Sequence, residues 1–202
     1  FEDFLASEES RYEYWRQKSV SHRDFSGAVP NKAHRALADW EKRGLLRGVI
    51  TQNIDGLHQD AGSQSVLELH GTARDVACLG CEWREPAGKW VEHFERDDRV
   101  PDCPACGGVI KHATVSFGQS LPEDVLRTAT NWSRESDMFL AMGSSLVVEP
   151  AASLPRIARE QGGRLVIINR DATPLDALAE LVIHESLGDT LSAVSRHVCS
   201  EE

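Results

Sequence analysis

No apolar run in these 202 residues comes near the roughly 20 needed to span a bilayer. The longest, such as residues 164–169 (RLVIIN), are a fraction of that, so a membrane protein is not expected. The opening segment FEDFLASEES lacks the basic flank and apolar stretch of a secretory signal. An intracellular home is therefore the simpler expectation: the cytoplasm, with the mitochondrial matrix also open. Basic side chains are outnumbered, with 22 Lys and Arg against 32 Asp and Glu and a formal net charge of −10. Phosphate neutralisation needs clustered cations, so direct nucleic-acid binding is not expected. Ser/Gly/Gln-rich tracts and internal repeats are absent too, which points to a chain folded along its whole length.

What is present is a repeated alternation. Ala33, Ala36, Leu37 and Trp40 fall at helical spacing within residues 30–43, with Pro30 suited to the start and Gly44 to the end. LLRGVIT (45–51) reads as a short buried strand. The pattern recurs as a helix over 122–132 (Val125, Leu126, Ala129, Trp132) followed by MFLAM (138–142). It recurs again as a helix ending near Gly162, then RLVII (164–168) and LVIH (181–184). A last helix sets Leu187, Leu191, Val194 and Val198 on one face. Helices alternating with buried aliphatic strands predict a parallel sheet covered on both sides, a Rossmann-like, doubly wound α/β domain. Residues 2–18 predict a helix in a separate small module, and residues 72–113 break the alternation with too few apolar residues for a core of their own.

That polar segment holds Cys78, Cys81, Cys103 and Cys106 as C-x2-C-x21-C-x2-C, two knuckles able to place four thiolates around one zinc ion. A hairpin carrying EPAGKW and RDDRVPD fills the gap, and Gly80, Gly107 and Gly108 supply tight turns. Two disulfides or a redox pair are the alternatives. A chain without a secretion signal and with Cys199 left over fits reduced thiols better. Four Cys ligands leave no coordination position for water, so the metal is expected to be structural.

Chemistry is then sought at strand ends, where open α/β sheets bind ligands. Gln52, Asn53 and Asp55 of QNIDGLH (52–58) offer donors and acceptors for ribose hydroxyls and a carboxamide, although a polar turn would look the same. VLEL (66–69) delivers His70, the side chain suited to proton transfer near neutral pH. MGSSLVVEP (142–150) brings Gly143, Ser144 and Ser145, groups small enough for a phosphate to approach, and INRDA (168–172) brings Asn169 and Arg170. Together these predict a long crevice suited to a dinucleotide.

TQNIDGLH, ELHG, the two knuckles, VSFG, GSSLVVEPA and IN, in that order, resemble the sirtuin family from residue 30 onward. RYEYW (11–15) and WEKRGLL (40–46) look most like the branch with mitochondrial and bacterial class II members. The resemblance implies an NAD-dependent protein lysine deacylase acting on acylated-lysine proteins or peptides. NAD is consumed as co-substrate: the acyl-lysine carbonyl oxygen attacks the ribose C1′, nicotinamide leaves, and free lysine and O-acyl-ADP-ribose result. It implies Gln52 on the nicotinamide ribose, Asn53 positioning a water, Asp55 at the carboxamide and His70 as general base. Gly143, Ser144 and Ser145 would meet the phosphates and adenosine ribose, Asn169 that ribose, and Asp189 the adenine. Val115, Phe117 and Gly118 would form the edge that takes the substrate backbone, with Leu146 and Val147 on its other side and Phe117 lining the acyl-lysine tunnel.

On this reading residues 1–29 are a helical module, 30–73 with 114–202 the NAD-binding domain, and 74–113 a zinc-ribbon module. The family's opening strand and Gly-Ala-Gly-x-Ser phosphate loop have no counterpart in these residues, which implies a fragment whose activity alone is in doubt. Gln119 stands where the family has an acidic residue, and His112 where it has proline. Trp15 and Lys18 replace the Tyr-x-x-Arg pair of desuccinylating relatives, which weakens a case for succinyl-lysine. Mono-ADP-ribosyl transfer or NAD hydrolysis on the same fold, and a non-catalytic zinc-bearing interaction module, are the competing readings.

Overall fold

The computed structural model describes residues 1–198, with the backbone alone of residues 24–26; Cys199 lies outside the described residues. The elements run α1 (Glu2–Ala6), α2 (Glu8–Ser26), α3 (Lys32–Lys42), β1 (Val49–Thr51), α4 (Leu57–Asp60), β2 (Val66–Glu68), β3 (Gly71–Cys78) and β4 (Arg84–Pro86). They continue through α5 (Ala87–Asp97), β5 (Ile110–Thr114), α6 (Glu123–Glu135), β6 (Met138–Met142), α7 (Ser153–Glu160), β7 (Arg164–Ile168), β8 (Leu181–Ile183) and α8 (Leu187–Val198). They fall into two units. Phe1–Val29, Thr51–Leu57 and Glu68–Pro122 make the first; Pro30–Ile50, His58–Leu67 and residues 123–198 make the second. No helix among the described residues is long and apolar enough to cross a membrane.

In the second unit β6, β7 and β8 form a parallel sheet in that order, with Met138 to Met142 opposite Arg164 to Ile168. Side chains alternate across a strand, and β7 shows what that does to an unbroken aliphatic run. Leu165 and Ile167 enter a core with Ala141, Leu146 and Leu175, while Ile168 and Val166 enter one with Ala36, Leu37, Trp40 and Leu191. A strand buried on both faces has no polar side, which is why RLVII carries no alternation. This is the α/β architecture with a parallel sheet that the sequence predicted.

The first unit is built on an antiparallel sheet of order β4-β3-β5, with Cys78 of β3 opposite Ile110 of β5. Its core joins Trp15 of α2 to Val76, Ala87, Val91, Phe94, Ile110, Cys78 and Cys103, so the helical and cysteine segments share one apolar interior.

Several element boundaries differ from expectation for local reasons. The helix over 2–18 is two helices: Ser7 takes an extended backbone and its hydroxyl oxygen accepts from the Ser10 amide at 3.0 Å, restarting the chain as α2. α3 starts at Lys32 because Asn31 caps it, with Oδ1 accepting from the Ala33 and His34 amides at 2.8 and 3.1 Å. The strand over 45–51 is confined to Val49–Thr51, since Leu45 and Leu46 both donate back to the Trp40 carbonyl in the turn that Gly44 opens at φ +74°. Between the knuckles there is no plain hairpin but β4 and the helix α5, whose Ala87, Val91 and Phe94 are one helical stripe buried on the first-unit core. On α8, Leu191 alone of the four expected residues is fully buried; Val194 and Val198 are exposed.

Candidate active site and metal site

The polar loop after β1 is shaped by its own side chains. Thr51 Oγ1 accepts from the Asn53 amide at 3.0 Å, and Asp55 Oδ1 accepts from the Leu57 amide at 3.0 Å, an Asx turn that starts α4. Gly56, at φ +68°, sits where a Cβ would lie 2.2 Å from Arg74 Nε, and that nitrogen donates to the Asp55 carbonyl at 2.8 Å. Arg74 is thus a loop-positioning residue that sequence patterns did not single out; an exposed Arg on a strand carries no signal. Asn53 is exposed, while Gln52 and Asp55 are half-buried.

His70 leaves β2 half-buried, and its Nδ1 lies 3.0 Å from the Gln52 carbonyl oxygen. A carbonyl only accepts, so Nδ1 carries the proton and donates, and Nε2 is left as the basic nitrogen. The His70 carbonyl in turn accepts from the Val115 amide at 2.9 Å. Imidazole, Gln52 loop and the Val115–Gly118 edge are therefore linked through one turn. Phe117 at that edge is 94% exposed and Gly118 is exposed.

That turn depends on Gly71. Its φ is +67°, and a Cβ there would stand 2.0 Å from the Ala113 carbonyl oxygen. Gly71→Ala is expected to destabilise the first unit, with left-handed strain alone costing about 1–3 kcal/mol and the backbone clash adding to it. Urea unfolding monitored by circular dichroism measures the loss.

In the second unit the expected residues sit at the carboxyl ends of β6, β7 and β8. Gly143 follows β6 at φ +58°, its amide donating to the Ile168 carbonyl at 3.0 Å, and Leu187 is 3.9 Å from where its Cβ would be. Ser144 Oγ accepts from the Leu146 amide at 3.3 Å, and Ser145 is exposed. Asn169 follows β7, its amide donating to the Ile183 carbonyl at 3.1 Å and its Nδ2 to the Asp171 carbonyl at 2.8 Å. Asp189 lies in the first turn of α8, exposed and 3.7 Å from Lys32 Nζ. Val147 is exposed, but the Leu146 side chain is buried in the sheet core, at φ +54°, and is not part of an open surface.

The four cysteines converge. Their sulfurs lie within 4.8 Å of one another, with Cys78 to Cys106 at 3.6 Å and Cys81 to Cys103 at 3.7 Å. Bonded sulfurs would be about 2.05 Å apart, whereas ligands about 2.3 Å from one tetrahedral zinc stand about 3.8 Å from each other. All four are free thiols. The Gly80 amide, donating to Cys78 Sγ at 3.2 Å, holds that thiol down to about 7. The Gly108 amide lowers Cys106, but the neighbouring sulfurs of Cys78, Cys81 and Cys103 oppose it and push it up to about 12. One sulfur ionises easily and the next resists, the situation a dication resolves. A Cβ on Gly108 would come within 3.1 Å of Cys106 Sγ and 3.3 Å of Cys78 Sγ, so glycine there keeps the sulfur cage open. The donor set fits structural zinc.

Comparison with known proteins gives consistent matches. A family model described as the Sir2 family matches residues 2–150. An NAD-dependent protein deacetylase of Rhodopseudomonas palustris is 46% identical over 194 residues, covering 95% of this chain and 76% of that protein. Among solved structures, Sir2 bound to an acetylated peptide superposes with a TM-score of 0.91 at 38% identity, over 98% of this chain and 82% of the other. Sir2 with a p53 peptide and NAD+ superposes at 0.90 and 38% identity, over 98% and 81%.

Proposed function

The chain belongs to the Sir2 family, and we propose that within it these residues catalyse NAD-dependent deacylation of lysine side chains in acylated proteins or peptides, giving nicotinamide, O-acyl-ADP-ribose and free lysine. NAD supplies the electrophilic ribose carbon and is consumed. The observation that carries the reading is the tie of His70 to both sides of its turn: Nδ1 to the Gln52 carbonyl and the backbone carbonyl to the Val115 amide. A base fixed in one tautomer is thereby joined to the exposed segment that follows β5 and turns at Phe117 and Gly118.

In this assignment Gln52 binds the nicotinamide ribose, Asn53 positions water and Asp55 holds the carboxamide. His70 Nε2 takes a proton from a ribose hydroxyl, while the Gln52 carbonyl accepts from the other ring nitrogen and holds the ring in place. In the second unit Gly143, Ser144 and Ser145 take phosphate and the adenosine ribose, Asn169 that ribose, and Asp189 lies by adenine. Val115, Phe117 and Gly118 take the peptide backbone and acyl-lysine, with Leu146 and Val147 as the second strip. On the same reading residues 30–73 and 114–202 serve NAD, with 1–29 and 74–113 as helical and zinc modules. The cytoplasm is the working compartment, which cell fractionation checks.

The test is product identity. Incubating the protein expressed from its full reading frame with NAD and an acetyl-lysine peptide is expected to give deacetylated peptide and O-acetyl-ADP-ribose in equal amounts by mass spectrometry. Free ADP-ribose formed equally well without peptide would replace the reading by NAD hydrolysis, and ADP-ribose attached to protein by transfer. Absence of NAD binding, with Asp55→Ala no different from wild type, would leave a zinc-bearing interaction module.

A further inference from the structure

The first unit contains a buried cluster that the proposed reaction does not use. His112, at mid-strand in β5, is 1% exposed, and the rings of Trp15, Tyr14 and His22 lie 5.5, 6.2 and 6.4 Å from it. Neither of its ring nitrogens has a hydrogen-bond partner. The same is true of the Ser19 hydroxyl and the Trp15 indole N–H, on side chains equally enclosed. On α2, Trp15, Lys18, Ser19 and His22 are spaced i, i+3, i+4 and i+7, one face of the helix.

Next to His112 on β5, Lys111 is 2% exposed; its Nζ donates to the Thr114 carbonyl and lies 6.0 Å from the Phe1 ring centroid. Lys18 Nζ stands 5.7 Å from the Tyr14 ring centroid. Among the described residues no carboxylate pairs with Lys18, His22, Lys111 or His112. Burial, and then the positive charges of Lys18, His22 and Lys111, push His112 down to about 3. Burial, and then Lys18, push Lys111 down to about 8, and burial lowers Lys18. Tyr14 is raised, by burial first, and adds no negative charge at neutral pH.

Buried polar groups are normally hydrogen-bonded and buried charges paired. Here several donors lack acceptors and every charge bearing on His112 is positive. Water could satisfy His112 and Ser19 but supplies no charge, and a metal cation would meet the ammonium groups of Lys18 and Lys111 with no carboxylate to offset them. We propose that Lys18, Ser19, His22 and His112, with Lys111 adjoining them on β5, form a binding site for a small free oxyanion, inorganic phosphate or a small carboxylate. Occupancy satisfies the orphaned donors and offsets the mutual repulsion of the amines.

Because the anion favours the protonated forms of Lys111 and His112, binding takes up protons, and affinity falls as pH rises through about 8. The experiment follows the His112 ring resonances during titration with sodium phosphate and, separately, sodium acetate, each against sodium chloride at equal ionic strength. A saturable shift with either oxyanion, stronger near about pH 7 than about pH 9, is expected, and the two arms tell phosphate from carboxylate. Lys18→Met is expected to weaken it about tenfold or more, to melt higher than wild type in oxyanion-free buffer because one repulsive charge is gone, and to lose the oxyanion-dependent rise in melting temperature. Ser19→Ala, a small change of shape, gives the same loss of affinity if Lys18→Met does not fold. A shift no larger than chloride produces, or oxyanion binding unchanged in the variant that folds, overturns the proposal.

Discussion

Replacing His70 by alanine is expected to cut formation of deacylated peptide by about 10²- to 10⁴-fold, the usual contribution of a positioned general base, with zinc content and melting temperature retained. The side chain is half-buried at a turn and touches the rest of the unit through one bond from Nδ1 to the Gln52 carbonyl. Removing a half-buried side chain at a turn costs little packing. The loss should fall unevenly on the reaction. Attack of the acyl oxygen on the ribose, with departure of nicotinamide, needs no base, whereas the later transfer through the ribose hydroxyls does. Exchange of labelled nicotinamide into NAD should therefore survive better than product release, measured side by side on the same preparation. Equal loss in both assays would make His70 a binding residue and not the base.

The second large effect concerns the metal. Cys103→Ser, or prolonged chelation, is expected to unfold the first unit, because binding of structural zinc is worth on the order of 10 kcal/mol or more and is itself folding free energy. Cys78 and Cys103 are core residues here, buried with Val76, Phe94 and Ile110. Without a dication those positions hold thiols crowded against one another, the condition in which Cys106 is driven up to about 12. Trp15 is fully buried in this core and Trp83 and Trp90 pack against it. Loss of zinc, counted by a colorimetric chelator, should thus coincide with a red shift of tryptophan emission. One equivalent of zinc released with no change in fluorescence would mean that the apolar core holds the unit unaided.

The sequence alone determined the parts whose cause is local. Two C-x-x-C knuckles bring sulfurs together whatever surrounds them, and an aliphatic run such as RLVII has nowhere to go but the middle of a parallel sheet. The placement of Gly143 and Asn169 at strand ends of the second unit was legible for the same reason, since each follows directly on an apolar strand, whereas Asp189 came only from the resemblance to the sirtuin family. Where two local signals competed, the reading failed at the boundary. Ser7 broke one helix into two, and the turn at Gly44 drew Leu45 and Leu46 out of a strand to which their hydrophobicity assigned them.

Only the tertiary structure decided what depends on partners distant in the chain. Trp15 lies 61 positions before Val76 in the numbering yet shares its core, so the fate of the N-terminal helices could not be read from their own pattern. His70 is one histidine among eight until the Gln52 carbonyl, brought beside it by the pairing of β1 with β2, fixes which nitrogen is basic. His112 was notable only for standing where the family has proline until packing enclosed its ring beside those of Trp15, Tyr14 and His22. Spacing records what adjacent residues do to one another; protonation and charge balance depend on which atoms folding brings within a few ångströms, and no local pattern contains that.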